Sequence, residues 1–132
     1  LKSLINGAIL ESPALNLNKI ISMKAAEIPL LPRGAEYPVK KLVSWMVKLN
    51  WEDLNYLSRS DELTTPILLI HSESDVTVPV SLSDQLAENR SDIVTYLRLE
   101  KAHHGAAWNT NKEIVESSME AFLNKNISST DD

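Results

Sequence analysis

Four side chains in the second half of the sequence are of the types that move protons. Glu73 and Asp75 lie in Ser72-Glu73-Ser74-Asp75-Val76-Thr77-Val78-Pro79. His103 and His104 lie in Ala102-His103-His104-Gly105-Ala106-Ala107-Trp108-Asn109. Each segment follows an apolar run, at 67–71 and 93–99. In a parallel α/β sheet, functional groups sit in the loops at the carboxyl ends of the strands. Consecutive right-handed units place these two loops side by side, so an acid and an imidazole meet. Such a carboxylate accepts the histidine Nδ1–H, fixes the tautomer and stabilises the imidazolium that forms during proton transfer. The histidine is a base and then an acid, work suited to a group that titrates near neutrality. A pair of this kind serves a third group, a nucleophile.

The surrounding pattern supports the placement. Residues 4–10 are a short apolar run stopped by Glu11-Ser12-Pro13, as a buried strand would be. Residues 14–62 are punctuated by Asn16, Asn18, Pro29, Pro32, Gly34 and Pro38, which predicts short helices joined by loops. Val39, Leu42, Val43 and Met46 make one apolar face of a helix over 39–49, and a shorter helix is expected over 51–57. The run at 67–71 is continuous and apolar, like a strand covered on both faces. Ser81 and Asp84 have the spacing of a capping box opening a helix that ends near Asn89. The β-branched and aromatic run at 93–99 predicts a further strand. Thr110 and Glu113 repeat the capping spacing ahead of a helix with Val115, Met119, Phe122 and Leu123 on one side. The tail 128–132 is polar. From residue 63 onward the order is strand, helix, strand, helix, typical of parallel units.

These pieces together resemble the α/β-hydrolases, and the likeness covers nearly the whole chain, aligned with that family's C-terminal half. Thr65 through Val80 resembles the strand and loop that bear the family's acid, Asp75 here. Ala102 through Asn109 resembles the histidine loop of a bacterial esterase-like subgroup, in which the histidine stands four residues before a Trp-Asn pair. Counting back from Trp108 selects His104 over His103. The order of acid before histidine also agrees with the family. Ala8 through Leu15 resembles the strand after the nucleophile helix, and residues 14–62 the lid insertion. The resemblance implies about three parallel strands of a doubly wound sheet with flanking helices, plus a helical lid, in one domain: sheet strand 1–13, lid 14–62 and βαβα segment 63–127. It implies hydrolysis of a carboxylic ester or related small acyl substrate, with no cofactor. Two positions depart from the family: Ser72 and His103 stand where glycine is usual or common.

Two parts of that machinery, the nucleophile elbow and the oxyanion-hole loop, are missing from the sequence. The three glycines, Gly7, Gly34 and Gly105, cannot build Gly-x-Ser-x-Gly. Ser12, Ser44 and Ser60 are unsuited to the role by context. An apolar run so close to Leu1 suggests that the chain starts inside a structural element; an in-frame elbow roughly 20–30 residues upstream would make it a fragment of an enzyme, and a start codon there a module. The 132-residue chain alone is therefore expected to be inactive, and its 4–10 edge to pair across a two-fold axis or aggregate. An Asp nucleophile, as in haloalkane and epoxide hydrolysis, and a non-catalytic hydrolase-derived binding module are the alternatives. Glu73 is expected to be solvated and His71 to be structural. Trp45, Trp51 and Tyr56 are expected to pack the lid, and Trp108 to seat the histidine loop on the last helix.

Composition narrows the partners. With 13 Lys plus Arg against 18 Asp plus Glu, the net charge of −5 disfavours nucleic acid. Without cysteine there are no disulfides or thiolate ligands, and no His, Asp and Glu spacing suggests a metal. No apolar run is long enough to span a bilayer, and the start lacks the layout of a secretory signal. A soluble, cytoplasmic domain is expected.

Overall fold

The computed structural model describes residues 5–127. Three strands, β1 (Ala8–Glu11), β2 (Ile67–Ser72) and β3 (Val94–Leu99), form a parallel sheet in the order β1-β2-β3. Ala8 lies opposite Ile67, and β2 runs in register with β3 from Ile67–Val94 to Ser72–Leu99. All six residues of β2 are buried, and Leu68, Leu69, Ile70 and His71 have no exposed surface at all. That central position is why its sequence is continuously apolar rather than alternating.

Helices α3 (Ser81–Asn89), α4 (Ala107–Thr110) and α5 (Lys112–Ile127) complete the sheet unit. Leu68 and Ile70 form one core with Leu99, Ala107, Val115 and Phe122. Leu69 and His71 point to the other face, because strand side chains alternate, and α3 packs there with Leu82, Ser83 and Leu86 buried. The sheet is thus covered on both sides, as a fragment of a doubly wound fold requires.

The structure divides into two compact units: the sheet unit, from 1–13 together with 60–132, and a helical unit, Ala14–Arg59. The helical unit holds α1 (Leu17–Ala26), α2 (Glu36–Val47) and a 3₁₀ turn at Trp51–Leu54. Asn16 caps α1, its Oδ1 accepting from the Lys19 amide at 2.9 Å. Lys40 of α2 reaches across to α1, donating to the Asn18 carbonyl and side-chain oxygens and to Ser22 Oγ.

Several expected boundaries shift. The strand expected at 4–10 runs from Ala8 to Glu11, while Leu4 and the tail 128–132 lie outside the described residues. Its pairing starts where Ala8 N–H donates to the Pro66 carbonyl at 2.9 Å. Before that point β2 has not begun, and Pro66 has no N–H to offer. Gly7 is pressed against the core: a Cβ there would lie 3.0 Å from Phe122 Cε1. The expected 39–49 helix is Glu36–Val47, ending at Lys48 in a left-handed conformation. The 51–57 helix is replaced by two 3₁₀ segments, Trp51–Leu54 and Tyr56–Glu62.

Neither capping box forms. Val80 occupies the N-cap of α3 without a side-chain bond. Asp84 instead accepts from Tyr96 Oη at 2.8 Å and Arg98 Nε at 3.0 Å, both on β3. Thr110 donates its hydroxyl back to the Ala106 carbonyl. Packing against β3 brings the Tyr96 and Arg98 donors to the Asp84 carboxylate, so it serves a cross-element contact rather than a cap. The apolar face of α2 is largely open, with Val39, Leu42 and Met46 at 61%, 55% and 67% exposure. Periodicity identifies which side of a helix is apolar, not whether an element lies over it.

That contrast yields a stability test. Leu68→Ala should destabilise by about 2–5 kcal/mol, and Leu42→Ala by less than about 0.5 kcal/mol, read as shifts of the urea midpoint. Equal losses would place Leu42 in a packed interior.

Candidate active site

The in-register ends of β2 and β3 bring their loops together. Glu73 N–H donates to the Leu99 carbonyl at 2.8 Å, and Ser74 Oγ donates to the Glu100 carbonyl at 2.8 Å. Between them, Ser72 Oγ accepts from the Ala102 amide at 2.8 Å and the Ser74 amide at 3.2 Å. Ser72, 2% exposed, thus ties the loop after β2 to the loop after β3. A glycine there could not make this link.

Asp75 sits in the first loop with its side chain fully buried. Its Oδ1 accepts from the Thr77 and Val78 amides at 2.8 and 2.9 Å. This is an aspartate turn that also aims the other oxygen. Oδ2 lies 2.9 Å from His104 Nδ1 and 3.2 Å from His71 Nε2. The Ser12 hydroxyl, just past β1, also donates to the carboxylate. Ser12 has φ of 47°, the left-handed bend that ends the strand, and is itself buried. Burial pushes the Asp75 carboxyl up, but the bonds from Val78, His104, Thr77 and Ser12 outweigh it and hold it down at about 2. The group is a permanent anion near neutral pH.

His104 stands in the loop between β3 and α4, its side chain 43% exposed. With Nδ1–H directed at the carboxylate, Nε2 is the nitrogen left to accept a proton. His103 is exposed and touches the site only through its carbonyl, which accepts from the Ala106 amide. The loop is anchored from β1, where Glu11 Oε1 accepts the Ala107 amide at 2.7 Å. It is anchored from α5 by Trp108 Nε1 donating to Glu116 at 3.0 Å. Glu73 pairs with Arg98 at the surface.

The other candidates are placed elsewhere. Ser60 is buried, its carbonyl accepting from Arg90. Ser44 and Trp51 line a cavity of about 650 Å³ within the helical unit. Trp51 Nε1 donates to the Lys40 carbonyl, while Trp45 and Tyr56 are exposed at 79% and 51% rather than packed. Among the described residues no cluster of three His, Asp or Glu is arranged to hold a metal ion. None of the described helices is long and apolar enough to cross a membrane. Two contributors escaped sequence reasoning, Ser12 and the imidazole of His71. The only sequence signal for them was their position at strand ends, beside the loop that carries Asp75.

A parallel sheet covered on both faces, with an acid and a histidine at adjacent carboxyl ends, is the architecture of the α/β-hydrolases. Residues 7–130 match the prolyl oligopeptidase family, and the chain belongs to it. An esterase from Pyrococcus furiosus has the same fold at a TM-score of 0.64 and 20% identity, over 92% of this chain and 44% of its own. An acylaminoacyl peptidase from Pyrococcus horikoshii aligns at 0.63 and 20% identity, over 93% of this chain and 20% of its own. The chain therefore spans less than half the length of either relative. No curated protein sequence matches it.

The depressed Asp75 value has a consequence for stability. Because the folded value, about 2, lies below the ordinary 3.8, ionised Asp75 favours the folded state above the ordinary value. That contribution, roughly 2 kcal/mol, disappears as pH falls from about 4 through about 2. Urea unfolding of the wild type and Asp75→Asn should show a gap at pH 7 that narrows by this amount in acid. A gap independent of pH would contradict the assignment.

Proposed function

We propose that this chain supplies the acid and the base of a serine hydrolase acting on a carboxylic ester or related acyl substrate. Asp75 is the acid and His104 the base. The observation that carries the reading is the 2.9 Å contact between His104 Nδ1 and a carboxylate that has no access to water. In the proposed reaction, His104 Nε2 takes the proton from a serine hydroxyl as that oxygen attacks the substrate carbonyl. Asp75 stabilises the resulting imidazolium. His104 then hands the proton to the departing alcohol or amine, leaving an acyl-enzyme. Water, activated in turn by His104, hydrolyses it. No cofactor enters this sequence of steps.

The sequence contains no Gly-x-Ser-x-Gly, so the serine comes from outside these 132 residues. The stretch 14–62 is the proposed lid insertion. The names of the two solved relatives, an esterase and an acylaminoacyl peptidase, support acyl transfer over the Asp-nucleophile alternatives.

Two outcomes are expected. The 132-residue chain by itself should release no nitrophenol from aryl esters above the buffer blank. A burst proportional to protein and abolished by a serine-directed reagent would overturn that. In a longer product of the same gene carrying an upstream elbow, Asp75→Asn and His104→Gln should each lower kcat/KM by about 10³–10⁴. Full activity in either variant would reject the pair, and the absence of an upstream elbow would favour a binding module instead.

The outer edge of β1 pairs with no further strand among the described residues. In the proposed enzyme a neighbouring strand fills it. In isolation the chain should self-associate along that edge, and sedimentation at low micromolar concentration as a monomer would count against this placement.

A further inference from the structure

The buried ring of His71 is more than core filling. It is fully enclosed on β2, on the face that α3 covers, and every polar atom of the ring has a partner. Nε2 faces two acceptors, Asp75 Oδ2 at 3.2 Å and the Val78 carbonyl at 3.1 Å. A nitrogen between two acceptors must carry the hydrogen. Nδ1 lies 2.7 Å from Ser83 Oγ on α3, and in the neutral ring with Nε2–H it accepts from the serine hydroxyl. These contacts define one neutral tautomer, Nε2–H, and one direction of donation: Ser83 to His71 to Asp75.

Asp75 Oδ2 is thereby shared by two imidazoles, one buried and one half-exposed. Oδ1 is already committed to the Thr77 and Val78 amides. A carboxylate with one oxygen held by a turn can still rock about its Cβ–Cγ bond, and that motion would change where the Oδ2 lone pairs point. The donor from His71 opposes it from within the sheet. The same N–H also bonds the Val78 carbonyl, so it gauges the carboxylate against the backbone of the turn that carries it.

We infer that His71 is a positioning residue: its Nε2–H, oriented by Ser83, fixes Asp75 Oδ2 so that the oxygen's remaining lone pair faces His104 Nδ1. The inference deepens the reading of Asp75 and His104 as the working pair and rests on it. It assigns His71 no contact with substrate. Its effect is to select the His104 tautomer whose Nε2 is bare and able to accept a proton.

Tautomers are read directly from long-range proton–nitrogen spectra of the ¹⁵N-labelled 132-residue chain at neutral pH. In the wild type, His71 should carry its proton on Nε2 and His104 on Nδ1. His71→Gln keeps a donor near the Nε2 position and should keep His104 in its Nδ1–H form. His71→Asn reaches only as far as Nδ1, faces Ser83 and leaves Asp75 without that donor. The Nδ1–H fraction of His104 should then fall by about twofold or more. A merely structural histidine would not separate the two variants in this readout, since only folded molecules report it.

Each result decides something. If wild-type His71 lacks a proton on Nε2, the inference fails without any variant. If His71→Asn leaves the His104 tautomer unchanged, or His71→Gln fails to preserve it, His71 does not position the acid, though the Asp75–His104 pair stands. If His71→Asn does not fold, the Gln variant and the wild-type tautomer carry the test. Wild-type His104 protonated on Nε2 instead would remove the pair itself, and with it the premise for His71.

Discussion

The sheet unit is organised around one buried negative charge. An ionised carboxylate taken out of water costs several kcal/mol unless donors replace its hydration. Here they come from four places in the chain. Ser12 follows β1, His71 lies on β2, Thr77 and Val78 form the turn after β2, and His104 follows β3. Each donor is local to its own segment, yet they converge only when the three strands are paired in register. The carboxylate thus makes strand order and loop geometry interdependent. A slip of β3 by one residue would turn His104 away and leave the charge short of a donor.

The hydroxyl of Ser72 adds a second constraint. It accepts two amides, one from its own loop and one from the histidine loop, and sits deep enough that water cannot compete. From the resemblance to the α/β-hydrolases a glycine was the expectation at this position. In this chain a side-chain bond links the two loops, and the histidine loop takes a positive φ at Gly105, next to His104. With the two loops tied in this way, Asp75 Oδ2 lies 2.9 Å from His104 Nδ1.

The helical unit follows a different logic. Its internal order depends on polar devices: the Asn16 cap, the Asn16–Asn55 bond and the Lys40 cluster between α1 and α2. Its apolar residues are less well used, since no residue of α2 is buried. Exposed apolar area of this kind costs folding stability that the sheet unit gains by burial on both faces. The chain covers under half of either solved relative.

That an acid and an imidazole would adjoin was legible in the residues themselves, while the choice of Asp75 and His104 came from the resemblance to the α/β-hydrolases. Two apolar runs, each followed by a loop with proton-moving groups, imply parallel strands whose ends adjoin, and Asp75 and His104 do meet. The central strand was also legible, because continuous burial demands continuous apolarity. Residue spacing could not show that Asp84 would bond β3 rather than cap its own helix, or that Thr110 would bond backward. A cap and a cross-element bond use the same side chain, and the choice belongs to whichever partner packing brings nearer. Nor could periodicity reveal that Val39, Leu42 and Met46 would be more than half exposed. The roles of Ser12 and His71 were least accessible of all. Their partners lie 63 and 4 positions away in sequence, and nothing in a serine before a proline or a histidine in an apolar strand announces a carboxylate. By itself the sequence determined which groups were available and roughly at which end of the sheet they would lie. Only the tertiary structure decided which of them share a proton, because hydrogen-bond partners are selected by distances of a few tenths of an ångström that no spacing along the chain encodes.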